Sequence, residues 1–186
     1  SCAGRKPSRA EVSEFVDIDW RGRRVRIEHA WIGAREDAPK PTVVFLHEGL
    51  GSLSMWKDFP QRLCDASGAQ GLVYSRPGYG RSTPRFANEP WEPDFMHRQA
   101  HEVLPAFLDA VGIDTTRDRV WLFGHSDGAS IALLFAARFT QALAGTIVAA
   151  PHILVEDFGL ASIAKARTAY LEADLKQRLA KYHDDV

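Results

Sequence analysis

Hydrophobic and polar residues follow one period near the N-terminus and another after residue 41. Phe15 to Trp20 alternates, with Phe15, Asp17 and Asp19 set against Val16, Ile18 and Trp20, which predicts a strand. Arg21-Gly22 is a turn signal, and Arg24 to Ile32 alternates again with Val25 and Ile27, then His29 and Trp31, on one face. The two runs predict an antiparallel hairpin whose solvent face carries Arg21, Arg23, Arg24 and Arg26. Residues 1–14 read as a flexible polar arm, and Ala34 to Pro41 as a loop with two prolines.

From Thr42 on, short continuous apolar runs replace the alternation, as strands buried on both faces require. Such strands are predicted at Thr42–Leu46, Gly71–Tyr74, Val120–Phe123 and Thr146–Ala149. Helical patterns separate them: roughly Ser54–Ala66, then Phe95–Val111 with Val103, Leu104, Phe107, Leu108 and Val111 at helical spacing, then Gly128–Arg138. Pro105 predicts a kink in the second of these and Gly112 its end. Residues 154–183 read as helical. Strands alternating with helices imply an α/β fold: a mostly parallel sheet flanked by helices, with the antiparallel hairpin at its N-terminal side.

Composition narrows the partners. A length of 186 residues fits one domain. With 23 basic and 24 acidic residues the formal net charge is −1, which gives no electrostatic case for nucleic acid or an anionic membrane surface. Cys2 and Cys64 have no disulfide or metal spacing and suggest a reducing, cytoplasmic compartment. No apolar run approaches the length of a membrane span, and residues 1–14 lack the apolar segment of a signal peptide.

Chemistry concentrates at Gly124-His125-Ser126-Asp127-Gly128, a Gly-x-Ser-x-Gly between a predicted buried strand and a helix. A sharp strand-to-helix turn strains the serine backbone, and side chains two positions away on either side would collide, so both are glycine. The hydroxyl of Ser126 is then presented at the carboxyl edge of the sheet, beside the positive end of the next helix. A second loop, His47-Glu48-Gly49-Leu50-Gly51-Ser52, follows the first central strand. An acyl-transfer site needs two backbone N–H groups aimed at a developing oxyanion: Asp127 is one candidate, and Gly49 or Leu50 the other. Glu48 and His152 are candidate pocket residues. A third loop, Arg76-Pro77-Gly78-Tyr79-Gly80-Arg81-Ser82, reads as structural.

These three motifs, in this order and spacing, resemble the α/β-hydrolase superfamily, especially bacterial esterase-like members with HEGLGS, RPGYGRS and GHSDG loops. The resemblance covers about residues 15–160 and implies strands three to six of that family's sheet. It also implies a cofactor-free carboxylic-ester hydrolase that works on a small molecule through a covalent serine ester. On this pattern residues 15–153 form the hydrolase core and 154–186 a helical segment opening a cap. The family places its acid and histidine after the cap, so both are expected beyond Val186, with the last strands missing. An uncovered sheet edge would then favour self-association or a missing C-terminal segment. His183, in a charged tail, is expected to be solvated.

Other readings compete with this one. His125 with Asp127, or His47 with Glu48, makes a poor metal site, since i and i+2 residues across a tight turn rarely converge on one ion. His97 and His101 lack the intervening glutamate of a zinc helix. Gly49-Leu50-Gly51 resembles an NADP-binding Rossmann loop, but lacks its third glycine. Ser126 stands where dehalogenases and epoxide hydrolases carry a carboxylate. A hydrolase fold that binds a small molecule without turning it over, or an inactive fragment, is the non-enzymatic alternative.

Overall fold

The computed structural model describes residues 13–33, 40–86, 89–90 and 92–185. Most of the expected arm, the centre of the proline loop and Cys2 lie outside the described residues. Six strands form one sheet in the order β1-β2-β4-β3-β5-β6. These are β1 Glu14–Trp20, β2 Arg23–Ile32, β3 Thr42–Leu46, β4 Gln70–Tyr74, β5 Val120–His125 and β6 Gly145–Ala149. The first two are antiparallel, β2 runs antiparallel to β4, and β4, β3, β5 and β6 are mutually parallel. Arg21 and Gly22 close the hairpin with φ of 56° and 73°, the left-handed pair that matches strand twist. The four arginines of the hairpin are exposed, as its alternation implies.

Strand β3 shows why its sequence is apolar without interruption. Val44 and Leu46 face a core shared with Leu104, Phe107, Ile131 and Phe135 of the helices on one side. Val43 and Phe45 face a second core with Cys64, Trp56 and Phe123 on the other. Phe45, Val44 and Leu46 are fully buried. Each such side chain contributes roughly 1.5–3 kcal/mol. This two-sided burial anchors the strand ends from which the loops at residues 47, 75 and 126 emerge.

The helices depart from their predicted outlines. The first is a 3-10 turn, Leu53–Trp56, then α1, Phe59–Ser67, with Lys57 at φ 55° breaking the two apart. The kinked helix resolves into α2 Phe95–Arg98, a π turn Gln99–Val103, and α3 Leu104–Ala110. Pro105 supplies no N–H and would crowd the carbonyl four residues back, so the backbone widens one turn ahead of it. Gly112 at φ 77° caps the end, with Ile113 N–H donating to the Leu108 carbonyl. Helix α4 spans Asp127–Arg138, on the back of β5 and β6.

Strand β6 is the outermost strand of the described sheet, as a sheet ending after its fourth parallel strand implies, but it is not buried on both faces: Ile147 is 43% exposed. The C-terminal helical stretch breaks at Ala173 into α5 Asp157–Glu172 and α6 Leu175–Leu179. On α5, Phe158, Leu160, Ile163 and Leu171 are exposed. No helix among the described residues is long and apolar enough to cross a membrane.

Candidate active site

Ser126 sits between β5 and α4 at φ 53° and ψ −117°, a conformation that costs a non-glycine residue on the order of 1–3 kcal/mol. The surroundings impose it. Its N–H donates to the Ala149 carbonyl of β6 at 2.9 Å, and its carbonyl accepts from Ala129 and Ser130 at 3.0 and 3.1 Å. A Cβ at Gly124 would strike the Gly128 carbonyl and the Ala129 backbone, and one at Gly128 would strike the Leu46 carbonyl. Both glycines of the motif are therefore steric requirements of the packed turn.

His152 reaches the same place from β6. Ala150 turns the chain at φ 51°, Pro151 follows, and the His152 N–H donates to Ser130 Oγ at 2.8 Å. Its Nε2 then lies 3.0 Å from Ser126 Oγ and 3.1 Å from Asp127 Oδ1. One nitrogen meets both partners. With the ring hydrogen on Nδ1, Nε2 can take the serine proton. Once Nε2 is protonated, the Asp127 carboxylate holds the cation. Sequence reasoning named His152 for the pocket but gave it no strand–loop context suited to a base. The positive φ at Ala150, which redirects the chain, is invisible in an Ala-Pro-His string.

The glycine loop is fixed from behind. His47 is fully buried, donates from Nδ1 to the Glu48 carbonyl at 2.7 Å and accepts the Arg76 N–H on Nε2 at 3.0 Å. Burial, reinforced by the Arg76 charge, pushes its pKa well below the usual histidine range, so it stays neutral. The Glu48 carbonyl also accepts from the Gly51 N–H at 3.1 Å and the Arg76 guanidinium at 2.9 Å. In a trans peptide the N–H opposes the C=O. Three donors behind Glu48 therefore turn the Gly49 N–H the opposite way, while Gly49 itself packs on the Asp127 carboxylate. Among the described residues, the amides of Gly49, Leu50 and Asp127 donate no hydrogen bond within the protein. Leu50 is 47% exposed at the loop tip, and the Glu48 carboxylate meets His125 Nδ1 at 3.5 Å on the rim.

Arg76 is the residue that sequence reasoning missed. It is 1% exposed, its guanidinium lies 3.6 Å from Asp127 Oδ2 and 4.8 Å from the centre of the Tyr79 ring, and it joins the loops after β3, β4 and β5. A buried guanidinium needs such partners. The only sequence signal was its place, two residues past a buried strand and immediately before Pro-Gly. The expectation that His183 is solvated is also wrong: it is 8% exposed and bonded to both neighbouring loops. His101 Nε2 bonds the Leu134 carbonyl at 3.2 Å, so the His97–His101 pair serves helix packing. Among the described residues no three metal-ligating side chains cluster. The glycine loop leads into a 3-10 turn and not an α-helix N-terminus, which removes the geometry a dinucleotide site requires.

A cleft of about 480 Å³ opens beside the loop, lined by Leu50, Tyr79, Phe95, Tyr170, Leu179 and His183. A cleft of about 530 Å³ at Leu108, Asp114, Phe135 and Phe139 holds none of this constellation.

A strained serine at a strand-to-helix turn, facing a glycine loop at the carboxyl ends of parallel strands, is the architecture of the α/β hydrolases. The chain belongs to the alpha/beta hydrolase family, whose profile matches residues 43–185. No curated protein matches by sequence. Among solved structures, a bacterial membrane phospholipase A described as a virulence factor is 22% identical, with a TM-score of 0.62 over 79% of this chain and 42% of its own. A probable hydrolytic enzyme from Pseudomonas aeruginosa PAO1 is 18% identical, with a TM-score of 0.61 over 81% of this chain and 45% of its own. A carboxylesterase from Bacillus subtilis is 22% identical, with a TM-score of 0.60 over 86% of this chain and 53% of its own. At such identities the likeness establishes the fold, and the chain spans about half the length of these structures.

Proposed function

We propose that this chain carries the nucleophile of a serine hydrolase acting on small carboxylic esters. The observation that carries the reading is Ser126 at φ 53° with its Oγ 3.0 Å from an imidazole nitrogen. Ser126 Oγ attacks the acyl carbon while its proton passes to His152 Nε2. The carbonyl oxygen becomes an oxyanion, held by the N–H groups of Asp127 and of Gly49 or Leu50. The fixed Glu48–Gly49 peptide favours Gly49 for this role. Asp127, itself paired with Arg76, stabilises the imidazolium through its carboxylate. Collapse of the tetrahedral adduct expels the alcohol, which leaves with the proton from His152, and water hydrolyses the acyl-serine by the same steps.

Supporting the ester assignment are the family's hydrolase fold and a hydroxyl in place of a carboxylate at the turn. Two cysteines without disulfide or metal spacing fit a reducing, cytoplasmic setting. Turnover of 4-nitrophenyl acetate and butyrate tests the reading. Ser126→Ala is expected to abolish it, and His152→Asn to lower kcat by about a hundredfold or more. Unchanged turnover in Ser126→Ala would refute the reading. Full activity in His152→Asn would remove that residue from the mechanism.

A further inference from the structure

The chain after residue 154 returns to the glycine loop, where His183 bonds it directly. Its Nδ1 accepts the Gly80 N–H at 2.9 Å, and its Nε2 lies 3.1 Å from the Leu50 carbonyl. A backbone N–H only donates and a carbonyl only accepts, so the tautomer follows: Nδ1 is bare and Nε2 carries the hydrogen. The Asp184 N–H adds a bond to the Gly80 carbonyl at 2.9 Å. Gly80 is a firm anchor, at φ 57° with no room for a Cβ beside Ser75 and Glu28. Leu50, in contrast, is the exposed tip of the glycine loop.

We propose that His183 is a positioning residue for the glycine loop, its neutral imidazole tying the Leu50 carbonyl to the Gly80 amide. The proposal rests on the reading of that loop as the oxyanion donor. The Leu50–Gly51 peptide is held at its N–H by the Glu48 carbonyl and at its C=O by His183. The Glu48–Gly49 peptide is held by Arg76 and His47. Two clamped peptides thus flank the one that carries the Leu50 N–H. Loss of His183 frees one clamp, and the Leu50 amide between the two clamped peptides loses its fixed aim. Protonation does the same, because an Nδ1–H would point at the Gly80 N–H. The groups around the ring are Tyr79, His47 and Glu48 from the two loops, Glu28 from β2, and Asp184 and Asp185 beside it in the chain. Burial lowers the His183 pKa, and the hydrogen bond to the Leu50 carbonyl, then the carboxylates of Glu28 and Glu48, oppose that shift without overcoming it.

His183→Gln, His183→Asn and His183→Ala test the assignment. A glutamine amide can donate to Leu50 as Nε2–H does, whereas asparagine oxygen can only replace the Nδ1 acceptor toward Gly80. With 4-nitrophenyl acetate, kcat is expected to fall by about tenfold in the Ala and Asn variants and to recover in Gln, with KM little changed. The acid limb of the kcat profile should lose one titration in His183→Gln. Equal kcat in the Gln and Asn variants, or a parental kcat in Ala, would overturn the proposal. Nitrogen NMR of labelled histidine checks the clamp without turnover: an Nε2–H tautomer at neutral pH is expected, and an Nδ1–H tautomer or a cation would contradict it. Should the parent chain show no serine-dependent turnover, the hydrolase reading and the catalytic half of this proposal fall together, while the tautomer still decides whether the clamp exists.

Discussion

The loops after β3, β4 and β5 and the region of β6 and α5 are built on opposite terms. In the first, His47 and Arg76 are fully buried, yet both ring nitrogens of His47 and the guanidinium of Arg76 have partners. In the second, Ile147, Phe158 and Ile163 lie on the surface and no buried side chain is found on α5. The frame that aims Ser126 is closed by its own hydrogen bonds and packing. Helix α5, in contrast, buries none of its side chains. Substitutions should therefore be costly in the first region and nearly free in the second.

The largest effect is expected from Arg76→Met. It removes the guanidinium from the Asp127 carboxylate and the Glu48 carbonyl, and breaking such a buried pair costs roughly 3–5 kcal/mol. Urea unfolding would read that loss, and a cost under about 1 kcal/mol would show that the three loops do not depend on the guanidinium. Next comes Gly128→Ala, whose methyl has no room against the Leu46 carbonyl. About 1–3 kcal/mol of stability should go, with Ser126 reactivity lost alongside.

Acid is expected to act on the same region. Folded His47 and His183 have lowered pKa values, so the unfolded chain binds more protons below about pH 6.5. Their contribution is complete above that pH and erodes as the pH falls. His47 alone sets a slope of up to about 1.4 kcal/mol per pH unit in the urea midpoint series. A stability curve flat from pH 7 to 5 would contradict neutral, buried rings.

In the second region the sign reverses. Gly159 of α5 has open space where a Cβ would go, so Gly159→Ala should raise stability by up to about 1 kcal/mol. Exposed apolar area of this kind favours association. Sedimentation is expected to show concentration-dependent oligomers that shrink in a Phe158→Ser, Ile163→Ser variant, with Ser126 reactivity unchanged.

The contrast also explains what the sequence disclosed. Continuous apolar runs identified β3, β4 and β5, because burial on both faces leaves no polar position to confuse the pattern. The same rule misjudged the burial of β6, whose run looks alike although its residues are only partly covered; the open edge was expected from the count of parallel strands and not from the run itself. Gly124 and Gly128 were legible because a steric requirement fixes residue type at a fixed spacing. Arg76 and His183 were not, since a charged loop residue and a histidine in a charged tail look solvated until the fold supplies partners 50 or 100 positions away, as Asp127 and Gly80 are. His152 fell between these cases: its neighbourhood was guessed, but its approach to Ser126 depends on a backbone turn at Ala150 that no side chain announces.

The most direct measurement is covalent. Incubation with a fluorophosphonate, digestion and mass spectrometry should place one adduct on Ser126 and none on Ser130, Ser52 or Ser75. Labelling should disappear in Ser126→Ala. A well-folded chain that stays unlabelled at Ser126, or one labelled equally at other serines, would contradict the claim that the turn between β5 and α4 presents a working nucleophile.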